Sequence, residues 1–376
     1  MASSEDEYSK DLLNLHYDEG YEDGYNDCLK DLKRRKRKKP EKSKNQDARK
    51  DRKIEKKTKS IKNINFDKKL ETLKELIDLG EMYTEEYEFT CNLDLKKLAK
   101  ILPELKKLNE MIGLSSLKKS IVKNLVFMLT ELDKGENDMR HTILYGPPGT
   151  GKTTIGQILC KIYASLGFLS KGQFVEMNRL SGVAKYEGQT EDKTDKFLKS
   201  CIGCAIFIDE AYSLGRKVGD SDSFSTIMLD SLNRFMSEQK DIIVFMAGYK
   251  QEIDTRILSI NPGFNRRFTY RYEIEPYNSQ ELCLIFQKFV NDNSWSIENN
   301  AISDSYFKDT SLFKGAAGDV RTFFEKCKEI HCERAITIPK TFWKILSKSD
   351  IENGFDTYKL EKGLVEKHQQ HLSLYI

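Results

Sequence analysis

The chain has 376 residues, 39% hydrophobic and 32% charged, which is room for two or three domains at roughly 150 residues each. Its net charge of +3 is unevenly spread: residues 30–60 hold 17 Lys/Arg against 5 Asp/Glu, an excess of +12 that leaves −9 on the remainder. No apolar run approaches the ~18 residues of a membrane span, the acidic N-terminus Met1 to Glu7 is not a secretory leader, and eight cysteines without a regular framework point to reduced thiols. The expectation is an intracellular chain, cytoplasmic or nuclear, with no membrane partner.

In chain order, residues 1–60 read as a disordered tail, acidic and then basic. Tyr17, Tyr21 and Tyr25 recur every four residues, which suits one face of a short docking helix; Gly20 and Gly24 weaken that helix, and plain acidic disorder is the other reading. From Lys33 to Lys39 every residue is basic, and such a block repels itself and has nothing apolar to bury. Three roles stay open for it: a nuclear-localisation signal, a nucleic-acid-binding arm, or a solubilising tail. Residues 61–107 form a helical N-terminal region by their spacing. Phe66, Leu70, Leu73 and Ile77 repeat at helical period up to Gly80, and Leu95, Leu98 and Leu102 repeat up to Pro103.

An α/β core with a parallel sheet is expected over residues 108–275. Ser115 is placed to cap a helix that buries Leu117, Ile121, Leu125 and Leu129. The apolar run Thr142 to Tyr145 then leads into Gly146-Pro147-Pro148-Gly149-Thr150-Gly151-Lys152-Thr153, and Thr154-Ile155-Gly156 opens a helix. That strand, glycine-rich loop and helix order is a phosphate-binding loop. Its glycines let backbone N–H groups close round phosphates at a helix N-terminus; Lys152 reaches the β/γ-phosphates and Thr153 offers a hydroxyl to Mg²⁺. Downstream, Ala205-Ile206-Phe207-Ile208 reads as a buried strand ending in Asp209 and Glu210. Asp209 is placed to hold Mg²⁺ through water, and Glu210 to orient or deprotonate the attacking water. Together the two motifs predict binding and hydrolysis of a nucleoside triphosphate. Cys201 and Cys204 are the one Cys-x-x-Cys pair; with no second pair it reads as a turn with buried thiols and not a zinc site. Glu275-Pro276 closes the core, and Leu282, Ile285, Phe286, Phe289, Val320, Phe323 and Phe324 set a mostly helical module over 276–345, followed by a partly helical C-terminal tail, 346–376.

From about Leu105 to Lys328 these residues resemble the AAA+ ATPases, in the branch of CbbX/CfxQ and the sporulation protein SpoVK. The resemblance rests on His141 to Thr153, Phe207 to Leu214, Ala247-Gly248-Tyr249 and Asn261 to Phe268, and residues 1–90 take no part in it. It implies a P-loop NTPase core with a C-terminal α-helical lid, ATP and Mg²⁺ as ligands, and a homo-oligomeric ring, a hexamer, that remodels a protein client it does not name. It further implies that Ile112 and Gly113 hold adenine, and that Arg267, with Arg266 beside it, is the arginine finger for a neighbouring subunit. Arg321, in Gly318-Asp319-Val320-Arg321, falls on the sensor-2 position, and Tyr186 on the aromatic pore loop that grips a translocating chain. Taken alone, Arg266 and Arg267 are a surface basic pair and Arg321 a solvated helix residue. Tyr249 stands where many AAA+ members have Asn or Thr; the CbbX-like branch shares it, and its sensor-1 role stays open. The competing reading is a nucleic-acid-associated ATPase anchored by residues 30–60, whose affinity would fall steeply with salt.

Overall fold

Thr142–Tyr145 (β1), Ala205–Ile208 (β3) and Ile243–Gly248 (β4) are buried at every position, the mark of strands covered on both faces. In the computed structural model they join Phe174–Glu176 (β2) and Tyr270–Glu273 (β5) in a five-stranded sheet of order β2-β3-β4-β1-β5, parallel throughout. The structure describes residues 60–64, 69–130, 132, 139–178, 187–215 and 223–363. Residues 1–59 of the acidic and basic tail, Phe66 and Tyr186 therefore lie outside the described residues. Among those described, no helix is long and apolar enough to cross a membrane.

Strand side chains alternate between two faces. Leu144, Phe207, Phe245 and Tyr272 join one cluster with Lys152–Ser165 (α4), Ser115–Leu129 (α3), Leu95–Glu110 (α2) and Leu73–Glu81 (α1). Ile143, Ile206, Val244 and Met246 face the other way, against Glu187–Ser200 (α5) and Ser223–Glu238 (α6). The result is a three-layer α/β sandwich, with Phe264 of the short helix Pro262–Arg267 (α7) packed on the second face. Cys201 and Cys204 are buried in the turn between α5 and β3, and no group of three or more metal-ligating side chains gathers among the described residues.

Three local expectations need correction. The helix expected to stop at Pro103 runs through it to Glu110. Leu98, Ile101, Leu105 and Leu108 are all fully buried along one stripe. Burying each is worth roughly 1.5–3 kcal/mol, which outweighs the ~3 kcal/mol cost of an interior proline. Residues 61–107 are not purely helical either, since Ser60–Asn63 and Tyr87–Thr90 pair as a small parallel ladder. Ser115 does not cap α3: the N-cap is Leu114, held in the left-handed region at φ 62° with no side-chain cap bond. The neighbouring Ser116 hydroxyl instead donates to Glu275 Oε1, 3.0 Å away.

The helical module is built from Ser279–Asp292 (α8), Ala317–Ala335 (α9) and Lys348–Glu361 (α10). Phe286, Phe307, Phe313, Phe323 and Tyr358 fill its centre, with Phe286 and Phe323 ring centroids 4.9 Å apart. The module reaches beyond the expected boundary at 345, because α10 contributes Ile351 and Tyr358 to that core and Tyr358 donates to Leu312 O at 2.7 Å. Asp350 anchors the start of α10. It caps the helix through Ser347, accepts from Arg334 at 2.7 Å and lies 2.9 Å from Nδ1 of buried His331.

Candidate functional site

Ligands of an open parallel sheet bind beyond the carboxyl ends of its strands, where the strand order reverses. Here β1, the first strand in the chain, sits between β4 and β5, and its carboxyl end runs into the glycine-rich loop. The loop is tied down on several sides. Gly146 N–H donates to Gly248 O of β4 at 3.0 Å, the buried Thr150 hydroxyl donates to Pro147 O at 2.8 Å, and α4 starts after Gly151. Lys152 is 8% exposed and its Nζ donates back to Gly146 O at 3.1 Å and Pro147 O at 2.7 Å. Burial lowers the Lys152 pKa, and Asp209 and Glu210 act against that.

Those carboxylates arrive from the end of β3. Both are exposed, and Glu210 adopts φ 45°, bending the chain so that its own N–H donates to Asp209 Oδ1 at 2.9 Å. Gly146, Pro148, Gly149, Gly151, Lys152, Thr153, Thr154, Asp209 and Glu210 thus line one cavity of about 300 Å³. Pro147 and Thr150 complete the loop from within. One ammonium, two carboxylates, a threonine hydroxyl and a glycine-rich backbone suit a metal-bound polyphosphate.

One wall of the cavity includes a residue that sequence reasoning gave no role. Tyr212, two residues past Glu210, lines it together with Tyr249, their rings 6.1 Å apart. Burial, then the charge of Glu210, pushes the Tyr212 phenol pKa up. Tyr249 is 45% exposed and reaches the site as an aromatic surface, whereas Asn or Thr at that position would offer a polar tip. The signal for Tyr212 was its place in the first turn after a paired carboxylate.

The lid also touches the loop directly. Ala317 N–H donates to Gly149 O at 3.2 Å, and Tyr277 OH donates to Thr150 O at 3.3 Å. Gly149 stands at φ +71°, and a Cβ there would fall 2.0 Å from Gly315 O, so no larger residue fits. Asp319 fixes that approach: its Oδ2 accepts Gly315 N–H at 2.6 Å and its Oδ1 accepts Lys362 Nζ at 2.7 Å. Ile112 packs on the lid cluster. Gly113, at φ +67°, leaves room for Glu281, whose Oε1 would lie 2.6 Å from an added Cβ. The Met111–Gly113 segment therefore runs between α4 and the lid.

The three arginines lie outside the cavity wall. Arg321 and Arg266 are exposed. Arg267 is half-buried and engaged within its own chain: one terminal nitrogen donates to Asn233 Oδ1 at 2.8 Å and Gly263 O at 2.9 Å, the other to Ser237 Oγ. Tyr186 lies outside the described residues.

A parallel sheet of this order with phosphate loop, paired carboxylates and helical lid defines a P-loop nucleotide-binding protein. Residues 142–275 match the family model for AAA, the ATPase family associated with various cellular activities. A cfxQ-like protein of Acanthamoeba polyphaga mimivirus is 32% identical over 296 residues, covering 77% of this chain and 72% of that one. The stage V sporulation protein K of Bacillus subtilis is 31% identical over 209 residues, 54% of this chain and 64% of that one. The ESX-1 secretion system protein EccA1 of Mycolicibacterium smegmatis is 38% identical over 164 residues; that match takes in 43% of this chain but 28% of EccA1. The chain belongs to the AAA ATPase family, among its CfxQ-like members.

Proposed function

We propose that this chain hydrolyses ATP with Mg²⁺ in a ring of identical subunits, a hexamer, and couples the hydrolysis to remodelling of a protein client. The observation that carries the reading is the convergence of Lys152, Thr153, Asp209 and Glu210, from two stretches of chain, on one cavity at the carboxyl ends of β1, β3 and β4. Lys152 exchanges its two loop carbonyls for phosphate oxygens, a stronger charge-assisted pairing. The Thr153 hydroxyl would supply an oxygen ligand for Mg²⁺ and Asp209 would hold the ion through water; the ion would supply neutralisation of the phosphate charge. Glu210, exposed beside them, orients the attacking water and takes up its proton. Ile112 and Gly113 hold the adenine, and Arg321 swings to the γ-phosphate on lid closure.

Arg267 serves the neighbouring subunit, with Arg266 as the freely exposed second guanidinium, in a role worth about 10³–10⁵ in rate. A trans arginine makes each site incomplete alone, so specific activity is expected to fall on dilution. The pore role of Tyr186 and the client rest on kinship with relatives whose names point to secretion and sporulation, and those relatives fix no common substrate.

The test uses Glu210→Gln, which keeps the nucleotide but lacks the base. Incubated with ATP in lysate beside Lys152→Ala as the non-binding control, it is expected to hold a protein client only in the ATP state. Retention of nucleic acid alone, lost when residues 1–60 are removed, would replace client remodelling with the nucleic-acid reading. ATP turnover undiminished in Glu210→Gln would refute the assignment of the base.

A further inference from the structure

ATP hydrolysis by Lys152, Thr153, Asp209 and Glu210 leaves Tyr212 without a part, although its ring lines the same cavity. The backbone between Glu210 and Tyr212 turns tightly. Glu210 stands at φ 45°, Ser213 N–H donates back to Glu210 O at 2.7 Å, and Ala211–Leu214 closes as a single 3₁₀ turn. Gly215 N–H ends it with a bond to Tyr212 O at 3.0 Å. Such a turn fixes where the tyrosine side chain sets out.

Three neighbours fix the direction of the ring. It lies against Gly248 of β4, where an added Cβ would come 3.0 Å from the ring Cδ1 and 3.1 Å from Cε1. Tyr249 packs beside it with centroids 6.1 Å apart, and the Arg256 guanidinium, itself paired with Glu252 at 2.7 Å, stands 6.0 Å from the centroid. The phenol is therefore set in place, whereas Glu210 is an exposed side chain at a strand end. A side-chain hydrogen bond joins the two. Burial, then the charge of Glu210, holds the phenol pKa above its ordinary 10.0, so near neutrality Tyr212 keeps its proton and is the donor. A glutamate without a fixed contact samples many rotamers, yet a general base works only within hydrogen-bond reach of the proton it takes.

We propose that Tyr212 is a positioning residue for ATP hydrolysis: its hydroxyl donates to the Glu210 carboxylate and holds it turned to the cavity, in place before nucleotide and water arrive. In this role Tyr212 acts through Glu210 and not on phosphate or water directly. Gly248 shares in it, because only a residue without a Cβ lets the ring lie this close to β4. The proposal rests on the ATPase reading of the cavity.

The test is ATP turnover of the full chain as wild type, Tyr212→Phe, Glu210→Gln and the double variant, with single-turnover measurement for the slow ones. Phenylalanine keeps the ring on Gly248 and removes only the hydroxyl. In Tyr212→Phe, kcat is expected to fall at least tenfold, the worth of a hydrogen bond to a charged group. The KM for ATP and the affinity for fluorescent ADP should change less than twofold, and the melting curve should not move. A ring that only fills space would leave kcat where it was. Added to Glu210→Gln, Tyr212→Phe should cost less than a further twofold, since the two act as a unit. A kcat in Tyr212→Phe at or above that of the wild type, beside an inactive Glu210→Gln, overturns the proposal and leaves the ATPase reading standing. A loss of ADP affinity as large as the loss of kcat, or a further tenfold loss in the double variant, does the same. An inactive wild type, or undiminished turnover in Glu210→Gln, overturns both.

Discussion

Taking the protein from pH 7.5 to pH 5.0 is expected to remove about 2 kcal/mol of folding stability through His141 alone. In the unfolded chain this imidazole titrates at 6.5, while in the fold burial, and then Arg267, hold it at about 3. The native state therefore binds fewer protons than the unfolded state between those two values, and stability rises with pH across that window. The contribution is fully present above 6.5 and is lost progressively as pH falls towards 3. At pH 5.0 roughly 97% of unfolded imidazoles are protonated against about 1% of native ones, a difference of about 1.5 log units at 1.36 kcal/mol each. Asp350 does not intrude. Burial would raise its pKa, but hydrogen bonds from Arg334, His331 and Ser347 outweigh that and bring it to about 2, so its contribution is lost only below about pH 3.8. The assay is urea unfolding followed by far-UV circular dichroism at both pH values, for the wild type and for His141→Asn. Asparagine Oδ1 can accept the Val244 N–H but cannot titrate. If both proteins lose the same stability over this interval, the buried neutral imidazole is not the cause.

Gly149→Ala sets a Cβ against Gly315 O at a backbone angle that disfavours alanine, so the lid must shift; nucleotide affinity should fall at least tenfold by fluorescent-ATP titration, with the sheet still folded. Phe323→Ala opens the aromatic core of the lid and should cost about 3–5 kcal/mol, seen as an early transition in Trp295 fluorescence, since that ring packs beside Phe324 in the same cluster. Arg267→Ala removes three hydrogen bonds within its own subunit and should lower stability by about 2 kcal/mol in calorimetry. Arg266→Ala, at an exposed position, should melt like the wild type. Equal melting of both arginine variants would show that the bonds of Arg267 hold nothing in place. Asp350→Asn leaves Arg334 and His331 without their carboxylate and should cost about 3 kcal/mol by the same measurement.

The nucleotide cavity was legible in the sequence because its chemistry is local. A strand, a loop and a helix start within twelve residues place Lys152 and Thr153, and a buried strand alone delivers Asp209 and Glu210 to the same edge. Helix-level errors came from tertiary burial overriding local rules: Pro103 stays inside α2 because the leucines on both sides of it are buried together, and Leu114 takes a strained cap because Gly113 must turn under Glu281. What could not be read were meetings between distant segments. Nothing near Gly149 announces Gly315, and nothing beside Arg267 announces that Asn233 and Ser237, one turn apart on α6, will grip it. Nor does periodicity reveal that α10 belongs to the lid, since its few apolar residues make sense only against the rings of Phe313 and Phe323.

The pairing of Lys362 with Asp319 gives the last described helix a mechanical part to play. Asp319 pins Gly315, and Gly315 presses on Gly149, so the far end of α10 is only three contacts from the surface on which phosphates would rest. A displacement of that end would have this short chain of contacts as its path to the loop. Cutting the linkage with Lys362→Met should make the loop indifferent to whatever is tethered beyond Gly363.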